Sequence, residues 1–244
     1  MILQPPITPV EQLDATLAAQ GFAVLDAAGA GQLLGRDTAA FEPWRAHWDR
    51  LPPDAYLRDG GRYRYRRHGS FIVDGDQVTL APHRPHWQPV EYNALHGGLE
   101  RHFEPIEPAL LADPQWNAWL VAMAARASAL KGAQRWYVEA HPFRIDTTDG
   151  IGRPTPEGAH RDGVDLVTVT LVAREGIKGA ETRVFAAEGR EGQRFTLTQP
   201  WSTLLLDDER VIHESTPIQP QDPARGGHRD TLVLTFRAGG FQGP

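Results

Sequence analysis

The chain has 244 residues, 41% hydrophobic and 23% charged, a globular rather than disordered composition that is long enough for one large domain with its own core. A formal net charge of −6 argues against a general electrostatic footprint for nucleic acid. With no cysteine, disulfide frameworks and thiolate metal sites are excluded, and any metal must sit on His, Asp or Glu.

Met1-Ile2-Leu3-Gln4-Pro5-Pro6 lacks a basic stretch leading into an apolar one, and no run of about 18 apolar residues follows. A soluble cytoplasmic protein without membrane contact is expected. Thr8-Pro9-Val10-Glu11 reads as a helix start, with Leu13 and Leu17 on one face and Gly21 closing it. Phe22 to Leu25 predicts a strand. From Ala30 to Trp48, apolar residues recur at roughly helical spacing.

Asp59 to Leu80 predicts strands, bent at Gly69 and turned at Asp74-Gly75. Arg62, Arg64 and Arg66 should share one face and Tyr63 and Tyr65 the other. Such interleaving suits either a solvated strand face or an anionic ligand. His83, His86, His96 and His102 follow in and after a Pro-rich loop and read as surface or capping histidines. Val90 to Leu130 is expected to be largely helical, with the cleanest stretch between Asp113-Pro114 and Gly132.

From Gln134 the pattern turns to β: Trp136 to Ile145, then Val164 to Arg174, Glu181 to Ala186, Arg194 to Leu197, Trp201 to Leu206, Arg210 to Ser215 and Arg229 to Arg237. Short strands separated by Gly, Pro and Asp turns predict an antiparallel sandwich or barrel. The chain reads as a single domain over 1–244, a helical and strand elaboration over about 1–133 preceding a β core over about 134–240.

The chemistry concentrates at Glu157-Gly158-Ala159-His160-Arg161-Asp162-Gly163, at the mouth of the run Leu166 to Ala173. A His and an Asp two positions apart point to the same side of an extended backbone. His213, at the end of a later apolar run, completes a 2-His-1-carboxylate triad of His160, Asp162 and His213, a site type that leaves open positions on Fe(II) for oxygen chemistry. Arg229 and Thr231 share a face of the last strand, and an Arg fork with a neighbouring hydroxyl suits bidentate capture of a carboxylate. Fe(II), Asp162, a dicarboxylate 2-oxo acid and Arg229 together sum to zero charge, as a partly buried site requires. His160-Arg161-Asp162 also spells a kinase catalytic-loop tripeptide, but Val167 stands where Asn belongs and no Gly-rich phosphate loop exists.

The segments Tyr56 to Arg64, Glu157 to Asp165 and Arg229-Asp230-Thr231 resemble the Fe(II)/2-oxoglutarate dioxygenases. More narrowly, they resemble the bacterial subfamily that includes L-isoleucine dioxygenase and related free-amino-acid hydroxylases. The resemblance implies a double-stranded β-helix (jelly-roll, cupin-like) core with an N-terminal α/β elaboration. It implies Fe(II) on His160, Asp162 and His213, 2-oxoglutarate anchored by Arg229 with Thr231, O2 as oxidant, and succinate and CO2 as co-products. The Pro- and Gly-rich stretch from Pro217 to Gly227 lengthens the usual spacing and leaves Arg225 as a rival anchor. An amino-acid substrate would need a cation for its carboxylate (Arg64, Arg66, Arg144 or Arg161) and an anion for its ammonium (Glu139, Asp146 or Asp165). A nucleic-acid or protein substrate, supported by Arg62 to Arg67, and a non-catalytic metal-binding regulator are the competing readings.

Overall fold

A computed structural model describes residues 2–244. In its N-terminal part a helix α1 (Leu13–Gln20), a strand β1 (Phe22–Leu25) and a helix α2 (Ala27–Leu34) are followed by a 3₁₀ segment and the single-turn helix α3 (Arg45–Trp48). The helical spacing between 30 and 48 is therefore broken, by Gly35 in a left-handed cap and by Pro43 within the 3₁₀ turn. Strands β2 (Arg64–Arg66), β3 (Gly69–Asp74) and β4 (Gln77–Leu80) precede helices α4 (Pro108–Leu111) and α5 (Pro114–Lys131). Residues 90 to 107 form turns and bridges, not the expected helix; Pro89, Gly97, Gly98 and Pro105 punctuate the segment.

The remaining strands are β5 (Trp136–Asp146), β6 (Leu166–Glu175), β7 (Ile177–Gly179), β8 (Thr182–Ala186), β9 (Gly192–Phe195), β10 (Thr203–Asp207), β11 (Val211–Ser215), β12 (Ile218–Pro220) and β13 (His228–Arg237). An eight-stranded antiparallel sheet runs β1-β10-β6-β13-β5-β3-β4, with β2 also paired to β5. Two smaller sheets, β11-β8-β9 and β12-β7, complete the double-stranded β-helix. Pro142 lies in the middle of β5 without breaking it. The β3 pairing ends at Ala140 and the β2 pairing begins at Phe143, so on that edge no ladder bond is asked of the Pro142 nitrogen.

The alternation of β5 and β13 divides the molecule. Val138, Ala140, Leu232, Leu234 and Phe236 face the helices, in a core built on Trp44, Trp116, Trp119 and Trp201. Helix α5 is started by Asp113, whose carboxylate accepts from the Gln115 amide and from the Trp44 indole. The opposite face meets the β11-β8-β9 sheet through Val167, Leu171, Val184, Phe195, Leu204 and Val211. Between the layers, the odd-numbered residues Glu139, His141, Phe143 and Ile145 of β5 and Arg229, Thr231, Val233 and Thr235 of β13 line a cavity. Among the described residues no helix is long and apolar enough to cross a membrane.

Candidate metal centre

His160 and His213 form an isolated antiparallel bridge, their amides donating to each other's carbonyls at 3.1 and 2.9 Å. This bridge, rather than a continuous strand through 160–162, brings the two rings to 4.7 Å. Asp162 closes the group, with Oδ1 3.9 Å from His160 Nε2 and Oδ2 3.9 Å from His213 Nε2. These gaps exceed hydrogen-bonding reach, yet the three ligand-type atoms lie within 4.8 Å of one another.

The donor set fits a divalent iron. Gly158 O can only accept, so the proton on His160 sits on Nδ1 (2.9 Å), and the Nε2 lone pair is free on the Asp162 side. Gln88 donates to Asp162 Oδ1 at 3.0 Å and orients the carboxylate. Beneath it, Asp208 accepts the amides of Asp162, Gly163 and Val164 at 3.0, 2.7 and 3.0 Å and fixes the loop. Burial, and then the charge of Asp162, push the Asp208 carboxyl up. Burial alone would lower His160, but the charges of Asp162 and Glu157 more than offset it and raise the imidazole. At His160 the carboxylates of Asp162 and Glu157 supply negative charge that a cation would share.

Gly163 has φ +76°, and a Cβ there would lie 2.4 Å from the Tyr92 ring. Gly163→Ala is therefore expected to displace Asp162 as well as to strain the backbone. A loss of roughly 1–3 kcal/mol in unfolding free energy, together with weakened iron retention, should be measurable by denaturant titration and metal analysis.

Arg229 is 5% exposed, and its guanidinium has no protein acceptor within hydrogen-bond distance among the described residues. Burial and the nearby Arg174 hold it down to about 10, the signature of a desolvated cation awaiting an anion. Thr231 lies on the same cavity wall. Arg225 is exposed, points at Asp222 and lies outside the cavity. The lengthened 217–227 stretch is absorbed by β12 and a surface turn.

Of the four candidate substrate arginines, Arg64 and Arg66 enter the cavity. Both are buried, which corrects the reading of a solvated strand face. Tyr65 takes the face opposite Arg64 and Arg66, as expected, and packs on the helical side, whereas Tyr63 precedes the strand and packs with Ile145, Ile177 and Ile218. Arg144 does not enter: period two places it on the opposite face of β5, chelating Asp230 at 2.7 and 2.8 Å and reaching Asp49. Arg161 also points away, over the Tyr92 ring. Asp146 and Asp165 are occupied outside the cavity by Thr148 and by the Ala238 amide.

A second group, His68, His86, Glu139 and His141, was not legible in the sequence. His86 and His96 are buried, against the expectation of surface histidines, while His102 is exposed as expected. The 83–101 loop carrying His86, Gln88, Asn93 and Arg101 has no periodic pattern, and its burial comes from folding over the cavity mouth. The four ligand-type atoms of this group also lie within 4.8 Å of one another. However, Arg84 donates to Glu139 (3.0 Å) and Arg66 to His141 Nδ1 (2.7 Å), so a divalent cation would meet two guanidiniums. The group is a hydrogen-bonded scaffold, with His68 and His86 each 3.2 Å from Glu139.

Burial holds His86 down to about 4 and also lowers His68 and His141. These folded values lie below the ordinary 6.5, so the unfolded chain binds more protons between them. The stabilisation is full above pH 6.5 and is lost as pH falls toward 4. For His86 alone this amounts to roughly 3 kcal/mol. The thermal midpoint should accordingly drop between pH 6.5 and 4.5, and His86→Gln should flatten that slope.

A family model described as 2OG-Fe dioxygenase matches residues 45–235. The crystal structure of a bsmA homolog from Methylobium petroleophilum PM1 is 53% identical, with a TM-score of 0.93 over 99% of this chain and 98% of that one. IDO from Bacillus thuringiensis shares the fold at 18% identity and TM-score 0.76, over 98% of this chain and all of that one. The Fe(II)/α-ketoglutarate-dependent dioxygenase TqaL does so at 19% and 0.67, over 93% and 86% of the two chains. Among proteins of curated function, none matches this chain in sequence.

Proposed function

The chain belongs to the 2OG-Fe dioxygenase family, and from that premise we propose that it hydroxylates a free L-amino acid, with His160, Asp162 and His213 as iron ligands and Arg229 with Thr231 as the 2-oxoglutarate anchor. The family makes it an enzyme using Fe(II), 2-oxoglutarate and O2. Bound iron supplies the oxidative chemistry: substrate C–H, 2-oxoglutarate and O2 become substrate C–OH, succinate and CO2. The chain's own residues bind and orient. Gln88 and Asp208 hold the Asp162 carboxylate and its loop, Gly158 fixes the His160 tautomer, and Arg229 offers its fork to the distal carboxylate.

The observation that carries the small-molecule reading is the cavity. It is lined by both the triad and Arg229 and is roofed by the 83–101 loop and Gln242. A macromolecular substrate loses its support, because Arg64 and Arg66 are buried, Arg62 pairs with Asp149 and Arg67 with Glu104. The likeness to the L-isoleucine dioxygenase subfamily belongs to the same proposal, as does the reading of 1–244 as one dioxygenase domain. Screening the 20 free L-amino acids for stimulated succinate formation tests it. At least one should stimulate; a protein that turns over 2-oxoglutarate but responds to none of them would refute the substrate class.

A further inference from the structure

Once the iron ligands and the 2-oxoglutarate anchor are set aside, the cavity still holds charged groups whose hydrogen-bonding capacity is unspent. Arg66 is 3% exposed and lies between two rings, 3.8 Å from the Phe103 centroid and 4.3 Å from that of Phe143. One of its terminal nitrogens donates to His141, while its buried Nε has no partner. Arg101 is 2% exposed; it donates to Gln88 Oε1 at 2.9 Å, and its Nε is likewise buried and unpartnered. Neither guanidinium is neutralised by a carboxylate in hydrogen-bond contact, unlike Arg64, which Asp54 holds at 2.7 Å. Glu139, which lines the same cavity, is already taken by Arg84, His68 and His86, and Asp54 by Arg64.

Glu157 presents the complementary deficit. It lines the same cavity, its Oε2 is buried without a hydrogen-bond partner, and its Oε1 is 3.5 Å from His160 Nε2. With that imidazole nitrogen given to the metal, Glu157 has no donor from the protein. Two buried guanidiniums with no carboxylate in hydrogen-bond contact and one largely buried carboxylate with no donor cost free energy unless a partner meets them. They match a ligand carrying both charges. The apolar remainder of the wall, Val164, Val169 and Val233, suits an aliphatic chain.

Resting on the reading of an amino-acid hydroxylase, we propose that Arg66 and Arg101 bind the α-carboxylate and Glu157 the α-ammonium group of a free aliphatic α-amino acid. The His68–His86–Glu139–His141 scaffold is then a positioning device: neutral His141 accepts from Arg66 and holds its fork between the two rings without neutralising it. Selectivity for the free zwitterion follows, since a blocked end would leave buried charge unpaired.

The test is anaerobic calorimetry on the Fe(II)- and 2-oxoglutarate-loaded protein with L-valine, L-leucine and L-isoleucine, each compared with its N-acetyl and methyl-ester derivatives and its des-amino acid. At least one free amino acid should bind, and its N-acetyl and ester forms should bind roughly 10- to 100-fold more weakly, the loss expected for a hydrogen bond to a charged group. Arg101→Gln should weaken the free amino acid by a similar factor while shifting 2-oxoglutarate affinity by less than about twofold. Glu157→Gln should weaken the amino acid but not its des-amino analogue, a contrast that a merely structural role would not produce.

Equal binding of free and blocked forms, or no binding of any of the three amino acids, overturns the clamp, as does a loss in Arg101→Gln confined to 2-oxoglutarate. The wild-type comparison needs no variant to fold. Failure of 2-oxoglutarate itself to bind the iron-loaded protein would instead count against the catalytic site, and the amino-acid titration still decides the clamp.

Discussion

Asp162→Ala is expected to abolish coupled turnover, with succinate formation falling by more than roughly 1000-fold, because the ion contributes several kcal/mol of stabilisation that two imidazoles alone will not retain. Asp162 is the only anionic member of the triad, and both of its oxygens face a histidine nitrogen at 3.9 Å. Its structural contribution is small: one side-chain hydrogen bond, from Gln88, since the backbone at Asp162, Gly163 and Val164 is held by Asp208. The variant should therefore fold with a thermal midpoint close to that of the wild-type apo protein, and Asp162→Asn should behave likewise. Undiminished succinate formation in either would remove Asp162 from the iron site.

Arg229→Gln is expected to raise the KM for 2-oxoglutarate by roughly 30-fold or more, the consequence of truncating one partner of a buried charge pair at about 2–5 kcal/mol. Arg225→Gln should leave it within about twofold, as an exposed ion pair contributes little. The two variants together settle which arginine meets the co-substrate. A stability readout sharpens the contrast. In the absence of ligand, Arg229 is a buried cation held down to about 10 with no carboxylate on it, so the apo thermal midpoint of Arg229→Gln should not fall below wild type. A large destabilisation with an unchanged KM would make Arg229 a structural residue.

The groups that the sequence brought out best are those whose spacing matches strand geometry. Period two on the last strand separates Arg229 and Thr231 from Leu232 and Leu234, and β13 places them on the cavity and core faces accordingly. The same rule, applied to β5, would have removed Arg144 from the candidates, because Glu139 and His141 have the opposite parity. What resisted reading was contributed by tertiary placement. Arg66 has the sequence of a solvated strand residue and becomes buried only because β2 pairs with β5 while Phe103 covers it from a loop. His86, Gln88 and Arg101 lie in a turn-rich segment with no periodicity, so nothing local distinguishes a cavity roof from a surface loop. The missing helix between 90 and 107 has the same origin: scattered Leu and Phe residues imitate a period that Pro and Gly prevent.

The His160–His213 bridge ties the loop carrying His160 and Asp162 to the regular strand β11. The pairing uses four backbone atoms outside named ladders, and the metal-facing geometry follows from it together with the Gly158 and Asp208 contacts. A change at Gly163 or Asp208 should thus reach the iron without touching a ligand.

Anaerobic addition of 2-oxoglutarate to the Fe(II)-loaded protein, followed by absorbance and metal analysis, tests the central claim most directly. One iron per chain and a weak metal-to-ligand visible band are predicted for the wild type, with both lost in His160→Ala and Asp162→Ala. Iron bound without the band, or a band that survives in either variant, would contradict the assignment.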